Sequence, residues 1–146
     1  MKRNIIFIVS IFLVIIVIIA YSIFNTRKIK EKIAQDNKPY ESFYGQPVLG
    51  TDVISLINKA IDNNEKNAVE RNEKGNYIDN EKNSIIIKIK FLELEDVISM
   101  EAIEKQGIQR FIQNFGAFSF KCTNIEYHQK TGNVKQLYFE QIESSY

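Results

Sequence analysis

The sequence predicts an α+β protein: an N-terminal transmembrane helix with a short stalk, then two helices packed on a mainly antiparallel sheet of about four strands. Three patterns support this fold class. Residues 5–24 form an uncharged apolar run, residues 53–61 carry an apolar stripe with helical spacing, and apolar and polar residues largely alternate in 84–92. Periods of about 3.6 and 2 residues are typical of half-buried helices and strands, respectively.

The first element is the apolar run, which reads IIFIVSIFLVIIVIIAYSIF from Ile5 to Phe24 and contains no charged residue. A helix of this length rises about 30 Å, which matches the hydrocarbon core of a bilayer. We therefore expect residues 1–24 to form a short tail and a single transmembrane helix whose partner is the lipid bilayer.

The alternative interpretation of this run is a cleaved signal peptide. Lys2 and Arg3 would form its positive region, and Ala-Tyr-Ser at 20–22 would be the cleavage site. A retained anchor is favoured because the run is long for a signal peptide and continues through Ile23 and Phe24.

Basic residues flank the run on both sides. The N-terminal side carries Lys2 and Arg3, and the C-terminal side carries Arg27, Lys28, Lys30 and Lys32. The larger C-terminal count favours a cytoplasmic domain, whereas the very short basic tail is typical of a signal anchor that exports the following domain. We favour the second arrangement, a cell-membrane protein whose C-terminal domain is outside the cytoplasm.

Residues 25–47 are predicted to form a stalk and linker. Ile29 and Ile33 lie four residues apart among charges, which is helical spacing, so the membrane helix is expected to continue. Pro39 is expected to end it, because the residue before a proline is disfavoured in the α conformation. An ordered aromatic loop is expected between Pro39 and Pro47.

The domain predicted at residues 48–146 begins with a second helix. Thr51 is a good N-cap, and Asp52 lies in the first turn, where negative charge meets the positive end of the helix dipole. The apolar stripe follows as Val53, Ile54, Ile57, Ala60 and Ile61. Residues 65–83 are polar and predict a hairpin loop at 72–76, and their spacing misses the EF-hand calcium pattern.

The remaining segments predict the rest of the sheet and one more helix. Residues 84–92 form the clearest strand, buried on one face only. A third helix is expected over residues 96–114, with a kink or a break at Gly107. Residues 118–142 predict a hairpin with a bulge near Asn124, where the alternation changes phase.

Few residues could support chemistry. Histidine and cysteine occur once each, as His128 and Cys122, and six strand positions span about 20 Å, which excludes contact within one straight strand. We expect Cys122 to be a core residue and His128 a surface residue. Five acidic residues are expected to form a solvated helix start and face: Glu93, Glu95, Asp96, Glu101 and Glu104.

No nucleotide-binding loop, serine-hydrolase elbow or zinc-protease motif occurs in the sequence. We therefore predict no catalytic residue, no cofactor and no metal site, and hence a protein that is not an enzyme. Beyond Lys32 the chain carries 13 basic and 17 acidic residues, a balance of −4. This balance disfavours binding to nucleic acid, which depends on neutralising phosphates.

One segment of the chain is similar to a known group of proteins. It is VLGTDVISLINKAI at residues 48–61, which follows a single N-terminal span and precedes a polar hairpin. It resembles uncharacterised small membrane-anchored proteins of clostridia-like, low-GC Gram-positive bacteria. The resemblance covers most of the soluble part and implies no known activity.

The function expected from these patterns is a single-pass, membrane-anchored interaction or scaffold domain that binds an unknown protein or envelope partner. The alternative is a subunit resembling type IV pilins or pseudopilins, because an apolar N-terminal helix leading into a small α+β head is also their outline. The sequence departs from pilins because no Gly precedes the apolar run and no Glu lies early in the helix.

Overall fold

The computed structural model describes the backbone of residues 2–143 and the side chains of residues 7–143. Two ends of the predicted segments lie outside the described residues. They are Met1 in the segment 1–24 and residues 144–146 in the segment 48–146. The chain divides into two compact units, residues 1–36 and residues 37–146. We call the second unit the head.

The α+β class is confirmed. The elements of the described chain are, in order, α1 (Lys2–Glu41), β1 (Pro47–Leu49), α2 (Gly50–Lys66), β2 (Ile86–Lys90), β3 (Val97–Ser99), α3 (Met100–Gln106), α4 (Ile108–Phe115), β4 (Ser119–Tyr127) and β5 (Val134–Ile142).

Helix α1 continues through Pro39, so the prediction that this proline ends the helix is wrong by two residues. A proline in the last turn removes only one backbone hydrogen bond. The side chain of Asn37 holds the helix end in the head, because its Nδ2 donates to Gly132 O at 2.8 Å and its Oδ1 accepts from Val134 N at 2.8 Å.

The sheet has five strands in the order β1-β4-β5-β2-β3. Three of its four pairings are antiparallel, and β2 with β5 is parallel. The predicted bulge near Asn124 is confirmed by a register shift between Cys122 and Asn124. The predicted hairpin loop at 72–76 is also present, because Asn72 N donates to Asn76 O and residues 71 and 77 form an antiparallel bridge.

The fifth strand, β3, lies within the residues 96–114 that were predicted to form the third helix. Val97 and Ile98 are β-branched, which favours strands, and they pair with Lys90 and Ile89 of β2. The helix begins at Met100 instead, where the Ser99 hydroxyl accepts from Ala102 N at 3.3 Å.

The predicted break at Gly107 divides the third helix into α3 and α4. Gly107 has a φ of 101°, which L side chains rarely adopt, so a glycine is needed there. A second glycine is required by close packing at the start of α2, where a Cβ on Gly50 would lie 2.1 Å from Phe115 O.

The core of the head lies between one face of the sheet and helices α2, α3 and α4. From β2, β4 and β5 it takes alternate side chains that are completely buried: Ile87, Ile89, Phe120, Cys122, Leu137 and Phe139. The helices contribute Val53, Ile57, Ala60, Met100, Ile103 and Phe111. The alternate residues on the opposite face of the sheet are half-buried or exposed.

Candidate functional site

The most unusual surface of the chain is the N-terminal part of α1. Its large apolar side chains between Phe7 and Phe24 are exposed, from 46% for Ile11 to 70% for Tyr21. One helix in the described chain is long and apolar enough to cross a membrane, and none of its most apolar window is buried. Soluble proteins rarely expose so large a contiguous apolar surface.

His128 is only 3% exposed, so the prediction of a surface histidine is wrong. Its Nε2 lies 2.8 Å from Ser84 O, and because a carbonyl only accepts, Nε2 is the donor. Its Nδ1 lies 3.5 Å from Asp79 Oδ1. The other carboxylate oxygen of Asp79 accepts from Lys135 Nζ at 2.7 Å, and this hydrogen bond lowers the pKa of Asp79 below its ordinary range.

This group contains a serine, a histidine and an aspartate, but its geometry is not that of a nucleophilic triad. In such a triad the histidine accepts the proton of the serine hydroxyl, whereas His128 Nε2 donates to the Ser84 carbonyl. The Ser84 hydroxyl donates to Asp79 at 3.2 Å and is completely buried. These side chains therefore fasten residues 79–84 to the β4–β5 hairpin.

Further side chains of the hairpin hold the same loop. Thr131 Oγ1 donates to Lys82 O at 2.6 Å, and Asn133 Nδ2 donates to the same oxygen at 3.1 Å. Lys130 and Glu81 form an exposed ion pair. Residues 79–84 are thus held by several contacts with the β4–β5 hairpin.

Asn64 holds the other end of this loop. It is completely buried in α2, its Nδ2 donates to Ile85 O at 2.7 Å, and its Oδ1 accepts from Ile85 N at 2.8 Å. The sequence analysis missed this residue. The signal was present, because residue 64 falls on the helical apolar stripe, three and seven residues after Ile61 and Ile57.

Cys122 is completely buried on the core side of β4, which confirms its predicted place. Burial raises the pKa of its thiol, which keeps the sulfur in its unreactive form at neutral pH.

The five acidic residues do not form one group. Three are exposed in the β2–β3 connection: Glu93, Glu95 and Asp96. Glu101 is buried and accepts from Tyr77 N at 3.1 Å, while Glu104 pairs with Arg71 at 2.8 Å. The expectation of a solvated helix face is therefore wrong for Glu101. Within the described side chains no cluster of three or more His, Cys, Asp or Glu residues could hold a metal ion.

The face of the sheet opposite the core has no covering helix in the described chain. We call it the uncovered face. In its middle Tyr138 of β5 lies between Asn124 of β4 and Lys88 of β2. In the next row Glu140 lies between Lys121 and Lys90. Neighbouring strands are about 4.8 Å apart, so these polar side chains lie next to one another around the Tyr138 ring.

Comparisons of the chain with protein-family models, with curated proteins and with solved structures found no match.

Proposed function

We propose that this is a single-pass membrane protein whose α+β head acts by binding a partner and carries no catalytic activity. The exposed apolar part of α1 carries this proposal. Its side chains from Phe7 to Phe24 have no protein cover, and a bilayer provides the apolar surroundings they require. The uncovered face, where Tyr138 lies between Asn124 and Lys88, is the surface of the head that supports a binding role.

The proposed orientation places the N-terminus in the cytoplasm and the head outside it, as in signal-anchor proteins. A cysteine introduced by Lys74→Cys, in an exposed loop of the head, tests this orientation. A membrane-impermeant maleimide should label this cysteine in intact cells. Labelling only after lysis would show that the head lies in the cytoplasm instead. The wild type serves as the control, because its Cys122 is buried.

Extraction of membranes with alkaline carbonate tests the anchor. The wild-type chain should remain in the membrane pellet, whereas the double variant Val14→Arg and Ile15→Arg should be released, because each charge at the centre of a span costs about 2.5–3.5 kcal/mol. The matched variant Val14→Leu and Ile15→Leu should stay in the pellet. Release of the wild-type chain would contradict the proposal.

Two alternatives share the apolar helix. A cleaved signal peptide would leave a mature chain that starts close to residue 23, and a pilin-like subunit would start at a trimmed, N-methylated residue. The continuous helix from Lys2 to Glu41 is the observation that keeps the pilin alternative in consideration. N-terminal sequencing of the membrane-extracted protein separates them, because an anchor should start at Met1 or Lys2.

The binding role is tested by photo-cross-linking in the native membrane. A photoreactive phenylalanine at Tyr138 samples the uncovered face, and the same residue at Asn58 samples the exposed side of α2. We expect a discrete adduct from position 138 and none from position 58. Equal, diffuse labelling from both positions would argue against a binding surface on the sheet.

A further inference from the structure

A cluster of cations follows the apolar run on α1. Arg27, Lys28, Lys30 and Lys32 are all exposed, with Glu31 as the only acidic residue among them. We call these four residues the basic collar. None of them takes part in an ion pair of the described residues, and Lys28 Nζ lies 4.6 Å from the centre of the Phe24 ring. The collar therefore has unused positive charge.

The position of the collar along the helix matches the headgroup layer. Arg27 and Lys32 are three and eight residues beyond Phe24, or about 4.5 and 12 Å along the axis at 1.5 Å per residue. The polar layer of one leaflet is about 5–8 Å thick. Lysine and arginine stems reach back over several ångströms with their charged ends in the polar layer, so all four cations reach lipid phosphates.

The distribution of the collar around the helix favours lipid over a protein partner. Successive residues turn by about 100°, which places Arg27, Lys28, Lys32 and Lys30 at about 0°, 100°, 140° and 300°. An acidic protein groove would meet a stripe on one side of the helix. The cations instead cover about 200° of the circumference, which suits the lipids that surround a span.

The rest of the chain adds no comparable attraction. Beyond Lys32 the 13 basic and 17 acidic residues leave a balance of −4. A net negative domain is repelled by an anionic surface, so the attraction comes from the collar and not from the net charge of the rest of the chain.

From these observations we infer that the basic collar binds anionic phospholipid headgroups and selects them over zwitterionic ones. This inference rests on the proposed membrane anchor. The ligand class is a lipid with a net negative headgroup, such as phosphatidylglycerol, held by several cations whose charge the chain itself leaves unpaired.

The absence of tryptophan from the chain allows a direct test. The substitution Phe24→Trp places a single fluorescent reporter beside the collar in the full-length protein. The protein is reconstituted in phosphatidylcholine–phosphatidylglycerol vesicles in which one or the other lipid carries brominated acyl chains, because bromine quenches tryptophan only at close approach.

We expect brominated phosphatidylglycerol to quench more strongly than brominated phosphatidylcholine, which corresponds to a preference of about threefold or more. High salt should abolish the preference, because it screens the charges. Replacement of the four collar residues by glutamine should also abolish it. As a matched control, glutamine at four exposed head lysines should leave it unchanged: Lys59, Lys74, Lys82 and Lys105.

Equal quenching by the two lipids in the parent protein would overturn the inference while leaving the anchor in place, since both lipids would still reach residue 24. A preference that survives in the four-glutamine collar variant would also overturn it. Absence of quenching by either lipid would contradict the membrane anchor itself, so the two failures are distinguishable.

Discussion

Replacing Asn64 with alanine tests how the buried amide network stabilises the head. The Asn64 amide satisfies both the N–H and the C=O of Ile85, at 2.8 Å and 2.7 Å, and Asn64 itself is completely buried. Alanine leaves both backbone groups without these partners. Each such group costs about 1–3 kcal/mol when it is left unsatisfied.

The net effect follows from two opposing contributions. Two unsatisfied groups cost about 2–6 kcal/mol, and the better helix propensity of alanine returns up to about 0.7 kcal/mol. We therefore expect Asn64→Ala to lower the free energy of unfolding by about 1–5 kcal/mol. That is a large share of the about 5–15 kcal/mol that stabilises a typical domain.

The assay is urea unfolding of the full-length protein in detergent micelles, followed by circular dichroism. Asn58→Ala is the matched control, because it makes the same substitution at an exposed position of the same helix. It should be neutral or slightly stabilising. If the two variants differ by less than about 0.5 kcal/mol, the amide of Asn64 does not carry the stability assigned to it.

The variant Asn64→Asp tests the same contacts through the pH dependence of stability. It keeps the acceptor for Ile85 N but turns an oxygen towards Ile85 O in place of the Nδ2 donor. Protonation would restore a donor, so this variant should lose less stability relative to wild type at acidic pH than at neutral pH.

Three further predictions concern the sheet, the loop and the thiol. Ile87→Asp should unfold the head, because residue 87 is completely buried. Lys88→Asp, on the uncovered face, should leave a cooperative urea transition. A head that tolerates both substitutions would refute the assigned strand faces. The hydrogen bond from Lys135 lowers the pKa of Asp79 below its ordinary value of 3.8. The ionised Asp79 therefore stabilises the head above pH 3.8, and this contribution is lost as the pH falls through the lowered pKa. The urea midpoint of Asp79→Asn should therefore fall less than that of wild type on acidification, and parallel losses would refute the pairing. Cys122 should react slowly with a thiol reagent in the native protein and quickly in urea, because it is buried and its pKa is raised; equal rates would contradict its core position.

Local patterns predicted those parts of the fold that depend on neighbouring residues. The apolar stripe of α2, the alternation in β2 and the bulge near Asn124 each reflect a period or a phase change within about ten residues. The glycine break between α3 and α4 is also local, since the φ of 101° belongs to Gly107 itself.

The missed features depend on residues far apart in the chain. Val97 and Ile98 form a strand because β2 provides an edge to pair with, and helix propensity does not report that edge. The parallel pairing of β2 with β5 joins residues 50 positions apart, such as Ile87 and Leu137. His128 is buried because residues 79–84 fold over it, and no local signal marks that contact.

The uncovered face was beyond prediction for the same reason. The sequence showed that one side of β2 is polar, but the row of Lys121, Glu140 and Lys90 exists only after three strands align. The predicted span, in contrast, depends on one apolar segment, and the structure has a helix there that is long and apolar enough to cross a membrane.

The depth of a single tryptophan at residue 14, the middle of the apolar run, tests the membrane anchor most directly. Val14→Trp in the reconstituted full-length protein should give blue-shifted emission, strong quenching by lipids brominated near the chain ends and protection from aqueous acrylamide. Water-like emission that acrylamide quenches freely would show that this helix does not lie in the bilayer, which would contradict the proposed membrane anchor.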